Sequence, residues 1–219
     1  VVDTTCGEVM SVWKRIGRYN AGGFTAVIHG KHAHQETVAT SSRANKYIVV
    51  RDLTQAQMVA DFIRWREPSQ AVAILSHLAG AYSPAFDPVR DLERVGMAAQ
   101  TTMYADEFLC VSDLVRSAME ARYGRSVGEH FQELETICSA TQERQDAIRE
   151  LARRVDVVVV VGGYNSSNTG NVTRVAQELV PAYHIEGPGQ VSPSAIRHHP
   201  VGAKQETTTV DWLPGKRPM

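Results

Sequence analysis

Apolar residues in this chain follow two rhythms that take turns. Val9, Val12, Trp13 and Ile16 recur at three- and four-residue steps, which predicts a helix, whereas Phe24 to Ile28 is a short strand-like run. Tyr47 to Val50 reads as a second strand. A helix then passes through Val59, Phe62 and Ile63, with Thr54 and Gln57 as a capping box at its start. Residues 67–90 carry three prolines around a short apolar stretch and read as an inserted excursion. Beyond it, Val95 to Ala98 predicts a strand, Leu114, Val115 and Ala118 a helix, and Glu133 to Ile137 another strand. Ala147, Ile148, Leu151 and Val155 again step as a helix. The five valines 157–161 predict a strand buried on both faces, and Val172, Val175, Ala176 and Leu179 the helix after it. Strand and helix in alternation predict an α/β fold with a parallel sheet and ligands at the carboxyl ends of its strands.

Composition narrows the partners. With 219 residues, 43% of them hydrophobic, the chain can bury a core, in two compact units. A net charge of −1 gives no electrostatic reason to expect nucleic acid or a membrane surface, and no apolar run approaches a membrane span. No signal segment is visible at the start. Val1-Val2-Asp3 reads as the end of a strand and Pro214 to Met219 as an unsettled loop, so both ends look cut. The three cysteines, Cys6, Cys110 and Cys138, form neither a disulfide framework nor a CxxC pair and point to a reducing compartment. Lone cysteines of this kind are ordinarily packing residues, and Cys110, in Glu107-Phe108-Leu109-Cys110-Val111, reads as core.

The candidate chemistry gathers at a few strand ends. After the valine run come Gly162-Gly163-Tyr164-Asn165-Ser166-Ser167-Asn168, a glycine turn and a polar cluster opening a helix. Such a turn presents backbone N–H groups, here joined by hydroxyls and amides, to a phosphate or diphosphate. A capped turn without ligand fits the same residues, because Ser and Asn are ordinary N-caps. Asp3-Thr4-Thr5-Cys6 and Glu135-Thr136-Ile137-Cys138 share the pattern acid, Thr, any residue, Cys. Each reads as a strand-to-helix corner, where a cysteine is more readily a thiolate and could hold an iron–sulfur cluster. His29, His32 and His34 read, from the residues alone, as a solvent-facing or metal-binding loop; His32 and His34, at i, i+2, could hold zinc, but no nearby cysteine or third ligand completes that site. Gln142, Glu143 and Arg144 suit a solvated helix face or a role beside a cluster. His198 and His199 read as surface residues.

Five segments, VVDTTC (1–6), IHGKHAHQETVAT (28–40), AAQTTM (98–103), TICSATQERQDA (136–147) and VVGGYNSSNT (160–169), together resemble the 4-hydroxy-3-methylbut-2-enyl diphosphate reductase (LytB/IspH) family. The HGK run, the 67–90 insertion and the WLPGKRP end are similar to the longer branch found in oxygenic phototrophs. The resemblance implies three similar α/β units around a [4Fe–4S] cluster held by one cysteine per unit. Residues 1–135 match the second unit and 136–219 a third, truncated at its end; the first unit, with its cysteine and two diphosphate-binding histidines, has no counterpart here, nor has the family's C-terminal serine. Cys6 and Cys138 match metal ligands. Glu36 and Thr101 match catalytic positions, and His34, Gln100, Ser166, Ser167 and Asn168 match substrate-binding ones. Gly7 stands where the family usually has Pro, and Gln35 replaces the middle of His-Pro-Glu. The implied reaction is reductive dehydroxylation of an allylic diphosphate with electrons from a donor such as ferredoxin or flavodoxin. It would run in the cytoplasm, or in the plastid stroma of a plastid-bearing eukaryote. A phosphometabolite-binding α/β module without redox chemistry is the alternative.

Overall fold

The computed structural model describes residues 5–133 and 139–215. Cys138, most of the expected 133–137 strand, Val1–Thr4 and the last four residues lie outside them. The chain divides into two compact units, Val1–Cys138 and Ser139–Met219. Among the described residues no helix is long and apolar enough to cross a membrane.

The first unit is a parallel sheet between helices. Its strands, β1 (Thr25–His29), β2 (Tyr47–Val50), β3 (Val95–Ala99) and β4 (Phe131–Glu133), lie in the order β2-β1-β3-β4. Every pairing is parallel, with His29 opposite both Val50 and Ala99. Burial of all five residues of β1 and of β3 follows from their central places, with helices over the sheet. Helices α1 (Gly7–Ala21) and α2 (Gln35–Ser41) pack together, as do α3 (Leu53–Trp65) and α6 (Ala105–Tyr123), and the short α7 (Val127–His130) leads into β4. Gly96 in β3 has no room for a side chain, because a Cβ there would fall 2.6 Å from the Tyr19 ring. That ring is fixed by its own hydroxyl, which donates to the Met97 carbonyl at 2.6 Å.

Helix α3 starts ahead of the expected capping box. Asp52 is its N-cap, and its carboxylate accepts from Gln55 N at 3.0 Å, while Gln57 turns outward to Asp61. Burial pushes the Asp52 carboxyl up, but the Gln55 N–H and the Arg51 guanidinium outweigh it and hold the pKa below its ordinary value. Residues 67–90 fold into α4 (Pro68–His77) and reach α5 (Pro88–Asp91), each with proline in its first turn, where the missing N–H costs nothing. Between the two helices, Val49 N donates to Ala81 O at 2.7 Å and Ser83 N to Tyr47 O at 3.0 Å. The excursion therefore covers the outer edge of β2, which would otherwise offer its backbone to another chain.

The second unit pairs β5 (Val158–Val161) in parallel with β6 (Ala182–Ile185) and packs α8 (Ser139–Ala152) against α9 (Ser167–Gln177). An antiparallel hairpin follows, β7 (Ala195–His198) and β8 (Thr207–Val210). Three sequence expectations are corrected by burial. The valine strand is not buried throughout: Val158 is, but Val159 and Val160 are half-buried and Val161 is 61% exposed. Among the described residues β5 has a single strand neighbour. Cys110 is exposed, not core, because α6 turns Phe108, Val111, Ser112 and Val115 inward and leaves Leu109 and Cys110 on its outer face. His198 is buried rather than superficial: its Nε2 meets Thr209 Oγ1 at 2.9 Å and its ring stands edge-on to Tyr183. Burial, and then the neighbouring His199, push its pKa down.

Candidate functional site

In the order β2-β1-β3-β4 the chain moves outward from β1 to one side and from β3 to the other. The carboxyl ends of β1 and β3 therefore flank a topological switch point, where open α/β sheets leave a crevice for ligands. His29 ends β1 fully buried, stacked on Phe108 with ring centroids 6.3 Å apart, which corrects its reading as part of a solvent-facing loop. Gly30 follows and continues the pairing through its N–H to Val50 O at 2.9 Å. A Cβ on Gly30 would lie 3.0 Å from Thr37 Oγ1 and 3.1 Å from Gln100 Cβ, so glycine permits the β1 and β3 loops to close on one another.

Gln100 ties them. It is 1% exposed. Its Oε1 accepts from Lys31 N and from Thr37 Oγ1, each at 3.2 Å, and its Nε2 donates to Thr102 Oγ1 at 2.8 Å. The next residue, Thr101, donates its backbone N–H to Glu36 Oε1 at 2.6 Å. Glu36 is in the first turn of α2, not in the loop ahead of it, and is half-buried. His34 caps that helix: its Nδ1 accepts from Glu36 N at 3.3 Å. With Nδ1 acting as acceptor, Nε2 is the ring nitrogen left to donate. The structure thus brings His34, Glu36, Gln100 and Thr101 to one strand-end corner.

Ser166, Ser167 and Asn168 belong to the second unit and to a loop of the same construction. Gly162 follows β5 and donates to Ile185 O at 2.9 Å, and a Cβ on it would lie 2.6 Å from Thr169 Oγ1. Ser166 is the N-cap of α9 and accepts from Thr169 N at 3.3 Å, so its oxygen serves the cap read from the sequence. Ser167 is buried. Asn168 Oδ1 is buried without a hydrogen-bond partner, which distinguishes this side chain from the capping serine. The sequence reading passed over Gln190 and Glu206, which hold Tyr164 of this loop; no spacing in the sequence links them to it.

Cys6 is the N-cap residue of the 15-residue helix α1, and its side chain makes no cap hydrogen bond. Its sulfur is exposed. A thiol at a helix N-terminus, uncommitted to the backbone, has the donor chemistry that a thiolate-held metal group requires. Among the described residues no three His, Cys, Asp or Glu side chains are grouped to hold a metal ion by themselves, His29, His32 and His34 included.

A parallel α/β sheet with a polar switch-point corner, and a second strand–glycine–helix loop built like the first, are arrangements of an α/β protein that suit a small anionic ligand at strand ends. The sequence profile described as LytB protein matches residues 1–213, and the chain belongs to that family. It is 45% identical, over 98% of its length, to the 4-hydroxy-3-methylbut-2-enyl diphosphate reductase of Gloeobacter violaceus, of which it covers 52%. It is 44% identical to the reductase of the same name from Nostoc sp., covering 98% of this chain and 54% of that one. The chain spans about half the length of the curated relatives it matches. The E-1-hydroxy-2-methyl-but-2-enyl-4-diphosphate reductase of Plasmodium falciparum superposes with a TM-score of 0.61 at 19% identity, over 87% of this chain and 50% of that one. That likeness is one of fold.

Proposed function

We propose that this chain carries the acid and part of the diphosphate site of a 4-hydroxy-3-methylbut-2-enyl diphosphate reductase, the activity named for its relatives. The observation that carries the reading is the 2.6 Å hydrogen bond by which Thr101, just past β3, holds the carboxylate of Glu36, in the first turn of α2 beyond β1. Such a contact fixes an acid beside a hydroxyl at the switch-point crevice.

In the reaction, two electrons and two protons remove the allylic hydroxyl as water, and the products are isopentenyl and dimethylallyl diphosphate. A [4Fe–4S] cluster, when bound, supplies the electrons and a Lewis acid for the departing oxygen, refilled by a carrier such as ferredoxin or flavodoxin. Cys6 suits a ligand of that cluster by its exposed, uncapped sulfur, and Cys138 stands at the matching place in the sequence. Glu36 delivers a proton toward the hydroxyl, and general-acid help of this kind is worth roughly 10²–10⁴ in rate. Thr101 orients the carboxylate through its N–H and can offer its own hydroxyl to the substrate. Gln100, occupied at both ends of its amide, keeps the two loops in register. His34, through Nε2–H, is a diphosphate donor of the first unit, and Ser166, Ser167 and Asn168 are the diphosphate donors of the second. Lone cysteines and this chemistry suit the cytoplasm.

The test is the affinity for inorganic diphosphate in the full-length holoprotein. One donor to a charged group contributes about 1.5–3 kcal/mol, so Asn168→Ala should weaken binding roughly 10- to 150-fold while the visible spectrum stays unchanged. An unchanged Kd would reduce the loop to a helix cap.

A further inference from the structure

The proposed diphosphate loop is clamped from outside at one residue. Tyr164, between Gly163 and Asn165, is held at its backbone and at its hydroxyl. Its N–H donates to Glu186 Oε1 at 3.2 Å, and its hydroxyl donates to Glu206 Oε1 at 2.7 Å. Gln190 closes the ring. Its Nε2 donates both to Tyr164 Oη and to Glu206 Oε1, while its Oε1 accepts from Glu186 N at 2.7 Å and Gly187 N at 3.1 Å. The aromatic ring between these two anchors lies edge-on to His184 at 5.0 Å and tilted against His199 at 4.9 Å. His184 Nε2 also lies 2.8 Å from the carbonyl of Gly162, where the loop begins.

These contacts gather the turn after β6, the end of β7 and the residue before β8 onto one tyrosine. Arg197 of β7 adds an ion pair to the far oxygen of Glu206 at 3.7 Å. A loop that binds an anion through neutral donors gains affinity when those donors are ordered in advance, since ordering them on binding costs free energy. Two carboxylates beside such a loop would repel the anion. Here Glu206 accepts from Tyr164 and Gln190 and faces Arg197, and Glu186 accepts from the loop backbone, so each is engaged.

Resting on the diphosphate assignment of residues 166–168, we propose that Tyr164, clamped by Gln190 and Glu206, is a positioning residue that preorganises the loop and sets affinity for the diphosphate end of the substrate. The clamp touches no reacting atom. Its loss should therefore weaken the ground and transition states together, raising KM and leaving kcat in place.

The experiment compares Tyr164→Phe, Glu206→Ala, the double variant and Asn168→Ala in the full-length holoenzyme, measuring Kd for inorganic diphosphate, KM and kcat. Tyr164→Phe keeps the ring between the two histidines and removes only the hydroxyl. A loss of about five-fold in Kd and a matching rise in KM are expected, the factor of one net hydrogen bond. The double variant should lose little more than either single one, because both break the same contact. Glu206→Gln, which keeps an acceptor for the tyrosine, should restore most of the affinity. A Tyr164→Phe enzyme with wild-type Kd, beside an Asn168→Ala enzyme that binds poorly, overturns the clamp and leaves the diphosphate reading intact. A lowered Tm or kcat with unchanged Kd overturns it as well, since that marks a purely structural tyrosine. Wild-type Kd in Asn168→Ala overturns the underlying assignment instead.

Discussion

Two substitutions of Glu36 separate its chemical part from its structural one. The carboxylate accepts the N–H of Thr101 at 2.6 Å, and Thr101 is 5% exposed. Glu36→Gln retains an oxygen for that N–H but has no acid proton. Glu36→Ala removes the acceptor as well and leaves a shielded donor unpaired, which costs about 1–3 kcal/mol. In a folding unit of this size that corresponds to roughly 2–4 °C in Tm per kcal/mol. Glu36→Gln keeps an oxygen acceptor for that N–H and should lose about 1 kcal/mol at most. Turnover follows a different order. Both variants lack the proton, so both should fall by roughly 10²–10⁴ relative to wild type. The assay is single turnover of the reduced holoenzyme, read beside iron content and a melting curve. Equal damage to turnover with unequal damage to Tm is the expected signature. Turnover that survives in Glu36→Gln and fails only in Glu36→Ala would refute the acid role and leave Glu36 as an anchor for the β3 loop.

Gly96→Ala should destabilise the first unit by about 1–3 kcal/mol in denaturant unfolding, because its Cβ would meet the Tyr19 ring at 2.6 Å in a packed core. Cys110, exposed on α6, should react with a maleimide in the native protein, and Cys110→Ser should leave iron content unchanged where Cys6→Ser lowers it; equal iron loss in both would contradict the assignment. Asp91 provides a pH prediction. Burial pushes its carboxyl up, but the Arg90 hydrogen bond, the Asp87 N–H and the Lys46 charge outweigh it and hold the folded pKa below its ordinary value. The stability it contributes is then complete above the unfolded pKa of about 4 and is lost as pH falls through the lower, folded one. Asp91→Asn should accordingly flatten the acid limb of the stability curve and be least harmful at the lowest pH.

The sheet was legible where periodicity and propensity agreed. Tyr47 to Val50 is a strand at the expected residues, and the first helix follows the expected stripe of Val12 and Ile16. Cys110 was misread because Phe108, Leu109, Cys110 and Val111 are apolar all round the helix, so composition does not choose the buried face; packing of Phe108 and Val111 does. The valines of β5 state a preference for strand but not how many neighbours it has. The start of α3 was misplaced because Thr54 and Gln57 satisfy the capping pattern while Asp52, two residues earlier, makes the bond. Resemblance named Glu36 and Thr101, but their contact joins residues 65 apart, and only the parallel register of β1 with β3 brings them together.

That register has a counterpart in the second unit, and the correspondence suggests why Glu36 and Asn168 are the residues on which each corner turns. Gly30 and Gly162 each follow a strand, and each N–H continues the ladder to the neighbouring strand, at Val50 and Ile185. Four residues on stand the N-caps His34 and Ser166, whose own N–H groups donate to Lys31 O and Gly163 O. In the first turn of each helix a threonine, Thr37 or Thr169, packs where the glycine Cβ would be. The interval from Cys6 to Gly30 also equals that from Cys138 to Gly162. The four-residue echo around the cysteines is thus the visible end of a longer correspondence, sustained by glycine contacts that sequence periodicity does not register. In that alignment Glu36 falls on Asn168, each the second residue of its helix. One corner places there a carboxylate held by a loop from the neighbouring strand, and the other a neutral amide whose oxygen has no partner. A shared backbone frame with exchanged side-chain chemistry lets one device, on the reading proposed here, position a proton donor in the first unit and a diphosphate ligand in the second. The frame depends on its two glycines, while the division of labour depends on one side chain in each copy.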